Sequence, residues 1–393
     1  MIYLNNAATT YPKPQCVLDA HAAALSNPPS GQFRSSGSFL KEDIFTQCRN
    51  HLGELLGIHE TERIFFSSGA TDSFNKILLG LDLQNCPVVT SVTEHNSILR
   101  PLYNHTQLLD EQISLVGCDT DGKISLEELE EIFIKNSEKN TNRGICIINH
   151  CSNVTGMVQD LDAIGILCRK YGIQFIVDVS QSGGCIPVDA DRSGIDILIM
   201  TGHKSLYGVQ GTGAYYVRSG IRLKPIMYGG TGLDSTKLKY KADEYEYEVG
   251  TQNAPGIAAL SSGVEYILMR GVEKIAEKER LLMKRIYDRL SEMKEIRIFG
   301  SYETNHGPVM SFQVKGLNCS DVAYILETGY GISVRTGLHC APLIHRAIGS
   351  GADGTVRVSV SDLTSMDEIE QFLKAMEEIT ASVSGNTRGE EVL

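Results

Sequence analysis

The sequence has no tryptophan, no C-x-x-C pair among its 10 cysteines, and no apolar run near the roughly 18 residues that a membrane helix needs. The cysteines are scattered and lack zinc-site spacing, so no metal centre is expected. Scattered thiols suit a reducing compartment, and a cytoplasmic protein with no membrane contact is expected. The opening residues, MIYLNNAATTYPKP, have neither the basic start nor the apolar stretch of a secretory leader. Basic residues are in short supply: 36 Lys and Arg face 48 Asp and Glu, a net charge of −12. Neutralising a phosphate backbone needs a basic surface, so a nucleic-acid partner is disfavoured, although one small phosphorylated ligand is not. A chain of 393 residues, at about 150 per domain, is long enough for two or three domains and for cores that need no staple.

Strand-like and helix-like segments alternate through most of the chain, the pattern of an α/β protein. PVVTSV from Pro87, GICIINH from Gly144, IQFIVDV from Ile173 and IDILIMT from Ile195 are short, β-branched and nearly continuously apolar. Such runs suit strands buried on both faces of a mainly parallel sheet, with helices such as Leu161 to Tyr171 between them. The expected fold is α/β: a mainly parallel central sheet flanked by helices, joined to a smaller α+β domain. The large domain is expected over residues 15–255, the small one over 1–14 and 256–384, and a flexible tail over 385–393. Polar clusters follow each strand: Thr93-Glu94-His95-Asn96, Ser152-Asn153, Asp178 to Gln181, and Thr201 to Lys204. In open α/β sheets that carboxyl edge is where ligands bind.

Thr201-Gly202-His203-Lys204 directly follows the apolar strand IDILIMT. A lysine near a strand end usually reaches for water; here the strand should be buried on both faces, which places the amine at the ligand edge. Desolvation there favours the neutral amine, the form that makes a Schiff base. Asp178 ends another buried strand. It reads either as a cap or ion pair, or as a carboxylate held against a protonated pyridine nitrogen, as in pyridoxal phosphate (PLP) sites. Ser67-Ser68-Gly69-Ala70-Thr71-Asp72 lies between a strand and a helical stretch, and free N–H groups at a helix start bind oxyanions. Beside the lysine and aspartate it reads as a phosphate cradle, with Thr71, Thr201 and His203 as further donors. Gln181 could reach the cofactor's phenolic oxygen and His95 could stack on its ring.

The set SSGATDS, TEHN, SNVTG, VDVSQSGG, TGHKSLYG, GTQNAPG and VRTGLHCAPL resembles the class V aminotransferase family of fold-type I PLP enzymes, and within it the cysteine desulfurases and selenocysteine lyases. The match runs in order from Tyr3 to Arg357 and beyond, and the RTG-x-HC-A pattern resembles the group II branch. The resemblance implies that Lys204 forms the Schiff base and shuttles protons, that Asp178 pairs with the pyridine nitrogen, and that Gln181 meets the phenolic oxygen. His95 would stack on the ring, and Ala70, Thr71, Thr201 and His203 would hold the phosphate. Thr251 would reach the phosphate across a homodimer interface. Asn153 and Arg357 would fix the substrate carboxylate, with Arg335 assisting. A lone cysteine is most often a small buried hydrophobe. Cys340, however, follows Arg335 by five residues and His339 directly, and positive neighbours favour the nucleophilic thiolate.

The implied reaction converts L-cysteine to L-alanine with a persulfide on Cys340, for delivery to an acceptor protein or thiol. The alternatives are a selenocysteine lyase releasing selenide and alanine, or another class V aminotransferase or lyase. Leu338 stands where group II sequences usually carry a first histidine, which bears on the acceptor and on the choice between cysteine and selenocysteine. The other nine cysteines read as structural. Asp119 through Glu128 resembles half of a calcium loop, but Gly117 falls at loop position 1 and a strand replaces the incoming helix, so a strand–turn–helix connection is expected.

Overall fold

The computed structural model describes residues 1–27, 43–105, 108–138, 144–230, 236, 238–239, 247–302 and 306–390. Its centre is a seven-stranded sheet in the order Ile64–Ser67, Gly213–Val217, Ile197–Thr201, Gln174–Asp178, Ile145–Asn149, Val88–Ser91, Ile113–Val116. All neighbours run parallel except Gly213–Val217, which is antiparallel to both of its partners. The four apolar runs picked out in the sequence are all strands of this sheet, and the expected mainly parallel α/β architecture is the one observed.

Burial on both faces explains their composition. Successive side chains alternate between faces, so Ile148, Val177 and Leu198 enter one core while Ile147, Ile176 and Ile199 enter the other. Continuing the second series by one step of two residues gives Asn149, Asp178 and Thr201. Three strands thus exchange an apolar for a polar side chain on the same face, at the same carboxyl edge. The crossover helices are set by local signals. Leu161–Tyr171 starts at Asp160, whose side chain accepts from the Ala163 N–H, and ends at Gly172 with φ 64°.

A second sheet is antiparallel and four-stranded, in the order Arg335–Gly337, Thr355–Ser359, Val309–Val314, Ile296–Phe299. Val356 and Val358 face its own core, together with Leu282, Phe312, Phe372 and Leu4 from the N-terminal segment. Arg357, between the two valines, faces the opposite way. The stretch from Gly263 to Leu290 is two helices, Ala254–Arg270 and Val272–Ser291. The buried face of Ala254–Arg270 belongs to the core of the large sheet, and the second core takes over at Leu282. The last helix runs from Met366 to Glu390, and residues 391–393 of the expected tail lie outside the described residues. Among the described residues no helix is long and apolar enough to cross a membrane.

The calcium-like stretch follows the strand Ile113–Val116 and is a turn leading into the helix Leu126–Glu138. The Asp119 carboxylate accepts from the N–H groups of Asp121 and Lys123, both at 2.9 Å, and caps the turn from within.

Candidate active site

A cavity of about 300 Å³ opens where the carboxyl edge of the large sheet meets the small sheet. Its walls include Ala70, Thr71, His95, Asn153, Asp178, Gln181, Thr201, His203, Lys204, Arg335 and Arg357, so eleven of the thirteen residues singled out from the sequence converge there. Cys340 and Thr251 are the other two.

On the large-sheet side, Lys204 is part-buried next to the strand end at Thr201. Burial pulls its amine down to about 8; Asp178 opposes this, while Arg357 and Arg335 add to it. Asp178 is 5% exposed and accepts from the Ser180 N–H at 2.8 Å. Burial raises its carboxyl, and the Ser180 bond and Lys204 counteract that rise. Gln181 donates through Nε2 to the carbonyl of Ala7 at 2.9 Å.

The candidate phosphate cradle is built from backbone. Gly69, at φ +136°, opens the helix Ala70–Gly80, and the Ala70 N–H reaches Thr201 Oγ1 at 3.1 Å. Ser180 Oγ lies 3.0 Å from the same oxygen. The loop can sit this close to the sheet because position 213 carries no side chain: a Cβ there would lie 2.7 Å from the Gly69 Cα. His203 is pulled down to about 4 by burial, then by Lys204 and Lys13, so it stands neutral, and its buried Nδ1 has no protein partner. Thr71 is exposed in the first helical turn.

His95 caps the helix Asn96–Tyr103: its Nδ1 accepts from the Ser97 N–H at 3.0 Å, which leaves the ring proton on Nε2. Burial, then Lys204 and the arginines, pull it down to about 3, so it too is neutral.

The small-sheet side is cationic. Arg335 and Arg357 are cross-strand partners, a pairing that costs energy for like charges directly opposite each other. Arg357 is fully buried; it donates to the Asn153 carbonyl at 3.0 Å and to Asn5 Oδ1 at 3.1 Å, and its Nε has no partner. Burial and Arg335 pull its guanidinium down to about 9, still charged at neutral pH. Among the described residues neither arginine forms an ion pair. Asn153 lines the cavity, but its Nδ2 donates to the His339 carbonyl at 2.7 Å, and its Oδ1 is buried without a partner.

Cys340 is exposed at the edge of this cationic side, with Arg335 Nη2 at 3.4 Å from its sulfur. Its carbonyl accepts from the Asn96 N–H at 2.7 Å, tying the cysteine loop to the histidine that caps the neighbouring helix. His339 and Cys340 have φ values of 50° and 59°, two consecutive non-glycine residues in the left-handed region, a local strain of the kind found at functional loops. One expectation is corrected here. His339 is 2% exposed, turns its Nε2 to Thr355, and is pulled down to about 2 by burial and Arg357, so it brings no positive charge to the thiol. Arg335 does.

Thr251 is exposed on an adjacent cleft that shares Ser68 and Asp72 with the Lys204 cavity. Sequence reasoning missed Asn149 and Cys151 on the cavity wall and gave no separate role to Ser180 within its Asp178-to-Gln181 cluster. The period of two could have placed Asn149. Cys151 gave no signal; burial pushes its thiol up to about 12, and it donates to the Gly156 carbonyl at 3.6 Å, a structural role. Glu94 was also missed as a support: buried beneath the wall, it accepts from Ser91 Oγ and the Asn149 N–H, and burial lifts it to about 8. Among the described residues no three histidine, cysteine or acidic side chains gather as a metal site would require.

A mostly parallel sheet flanked by helices, with an aspartate at one strand end, a lysine just past the adjoining one and a helix start beside them, is the architecture of the fold-type I enzymes. The chain belongs to the class V aminotransferase family, whose model (Aminotransferase class-V) matches residues 2–372. It is 30% identical over 396 residues to a probable cysteine desulfurase of Pyrococcus abyssi, covering 98% of this chain and 95% of the relative. A protein of Borreliella burgdorferi with the same description is 26% identical over 400 residues, covering 98% and 93%. Among solved structures, the apo cysteine desulfurase of Thermococcus onnurineus NA1 matches with a TM-score of 0.82 at 28% identity, over 97% of this chain and 95% of that one. The cysteine desulfurase CsdA of Escherichia coli shares the fold, with a TM-score of 0.81 at 23% identity over 97% and 95%.

Proposed function

We propose that this chain is a PLP-dependent cysteine desulfurase that turns L-cysteine into L-alanine and leaves the sulfur on Cys340. The observation that carries this reading is the charge arrangement of one cavity: an amine held toward neutrality on one wall, an unpaired buried arginine on the other, and an exposed thiol beside the second arginine.

The residues fit PLP. His203 Nδ1 is a buried polar atom without a protein partner, and the loop at Gly69, packed against Gly213, has open space on its own side-chain side, with nothing within 4 Å of a Cβ placed there. Ala70, Thr71, Thr201 and His203 would hold that phosphate, with Thr251 supplied by the second subunit of a homodimer. Asp178 and Gln181 would meet the ring nitrogen and phenolic oxygen, His95 its face, and Lys204 its aldehyde. When bound, PLP supplies an electron sink for chemistry at the substrate's α-carbon.

The chain's own groups do the rest. Arg357, with Arg335 and Asn153 beside it, binds the substrate carboxylate and fixes the α-carbon. The Lys204 amine takes the α-proton and returns a proton to the carbon skeleton. The bond from the β-carbon to sulfur breaks, a bond from that sulfur to Cys340 Sγ forms, and the β-carbon takes a proton. Cysteine plus thiol thus gives alanine plus persulfide, with no outside oxidant or reductant. An acceptor protein or thiol would then take the sulfur from the exposed Cys340. We divide the chain into a large unit around the seven-stranded sheet and a small unit carrying the Cys340 loop and residues 1–14, with the changeover within the helix Val272–Ser291 instead of at 255.

The test is to give purified, PLP-loaded protein L-cysteine and, separately, selenocysteine, and to quantify alanine, sulfide and selenide. Alanine from cysteine that is lost in Cys340→Ala supports the desulfurase. Selenocysteine cleavage alone, surviving in Cys340→Ala, replaces it with the lyase, and pyruvate in place of alanine points to another member of the family.

A further inference from the structure

Ala7 and Gln181, which line the Lys204 cavity, also line a second and much smaller cavity of about 20 Å³. It sits where the two cores meet: Gln181, Ser205 and Tyr207 come from the large sheet's edge, Glu279 from the helix Val272–Ser291, and Ser361 from the segment that follows the Arg357 strand. Two buried polar atoms of its lining residues have no partner, Ser205 Oγ and Glu279 Oε2.

Glu279 is 4% exposed and forms no ion pair among the described residues. The nearby cations are already engaged: Arg270 and Lys278 both pair with Asp362. The Glu279 carboxyl therefore lies in a buried setting beside the Asp362 carboxylate, bonded to the Cys185 thiol and the Asp362 backbone and within electrostatic reach of Lys278. Burial, then Asp362, raise it well above the usual carboxylate range and favour the protonated form, against the opposing pull of the bonds from Cys185 and the Asp362 backbone and of Lys278. The Ser205 hydroxyl and the Glu279 Oε2 atom are buried polar atoms left without a protein partner, and each costs free energy in that state. A polar cavity needs about 10–15 Å³ to hold a water molecule, and such waters bridge otherwise unsatisfied groups.

We propose that one ordered water occupies this cavity and bridges the Ser205 hydroxyl to the Glu279 carboxyl. Ser205 directly follows Lys204, and Glu279 lies on the helix that opens the second core. The bridge thus ties the lysine segment to the part of the molecule that carries Arg357. Glu279 is a positioning residue acting through the water and Ser205, with no contact to the reacting atoms.

The first arm of the test is a high-resolution crystal structure of the full chain. The expected result is one water peak within hydrogen-bond distance of both Ser205 Oγ and Glu279 Oε2, absent in Ser205→Ala. Density showing no ordered water there, or a direct bond between the two side chains, overturns the proposal. The second arm is a thermal-melting cycle. Ser205→Ala and Glu279→Leu each lower Tm, and the double variant falls no further than the larger single loss, because both remove the same water; fully additive losses refute the bridge. The third arm uses conservative rescue. Glu279→Gln, which keeps a neutral donor and acceptor, retains wild-type Tm and wild-type kcat for alanine release. Glu279→Leu lowers kcat several-fold at unchanged KM for L-cysteine. A Glu279→Gln variant as impaired as Glu279→Leu contradicts the neutral bridge. The first two arms do not depend on the desulfurase reading, so either proposal can fail alone.

Discussion

The two walls of the cavity differ in how far they are finished. On the large-sheet wall the polar atoms largely satisfy one another: Ser180 serves Asp178 and Thr201, Thr201 receives Ala70, and Ser97 holds His95 in one tautomer. On the small-sheet wall two guanidinium groups stand on paired strands with no carboxylate partner among the described residues, and one of them is fully buried. The first wall is organised in advance, as the proposed proton transfer by Lys204 requires. The second leaves cationic capacity unused, and under the proposed function the substrate carboxylate supplies the missing anion and gains affinity and orientation together. On that reading, proton transfer belongs to the strand ends of the large sheet, and substrate selection and sulfur capture to the strained, cationic side that carries Arg335 and Cys340.

The strongest way to break this division is to empty the first wall of its amine. Lys204→Ala should reduce alanine formation by about 10²–10⁴-fold for the acid–base role alone, and the loaded protein should lose the visible absorbance of lysine-linked cofactor; wild-type turnover would remove Lys204 from the chemistry. Arg357→Ala attacks the second wall and should cost about 1.5–3 kcal/mol in kcat/KM, carried mainly by KM. Unchanged cysteine affinity would show that the buried guanidinium serves something else. Gly213→Ala probes the pre-built cradle: its Cβ would meet the Gly69 Cα at 2.7 Å, so a stability loss of about 1–3 kcal/mol in a denaturant titration and weakened cofactor retention are expected.

The smallest effect is in pH. Because Lys204 gives up its proton near 8 instead of 10.5, aldehyde trapping at this residue should rise with pH and level off above about 8. Between those two values the unfolded chain holds a proton that the folded chain has released, so the stability of the unloaded protein rises with pH across that window. Lys204→Met should lack that rise; a trapping profile still climbing toward 10.5 would mean a solvated amine.

Much of the large wall was legible because buried parallel strands announce themselves by composition, and a period of two then fixes which residue ends each strand on which face. Asp178 and Thr201 follow from that geometry. The small wall was legible only as a motif, since nothing in the spacing of Arg335, His339 and Cys340 says which side chain turns inward. His339 shows the cost of reading adjacency as contact: next to Cys340 in sequence, it packs against Thr355. The supports contributed from far along the chain were also hidden. Asn5 meets Arg357 and Ala7 meets Gln181 across separations of 352 and 174 residues, and only the fold reveals such pairs.

The most direct measurement is to treat PLP-loaded protein with one equivalent of L-cysteine and to map the added sulfur by peptide mass analysis. The account predicts one extra sulfur atom on the peptide carrying Cys340 for each alanine formed, and none on the peptide carrying Cys151. Alanine formed with sulfur on a different cysteine, or with none on the protein, would contradict it.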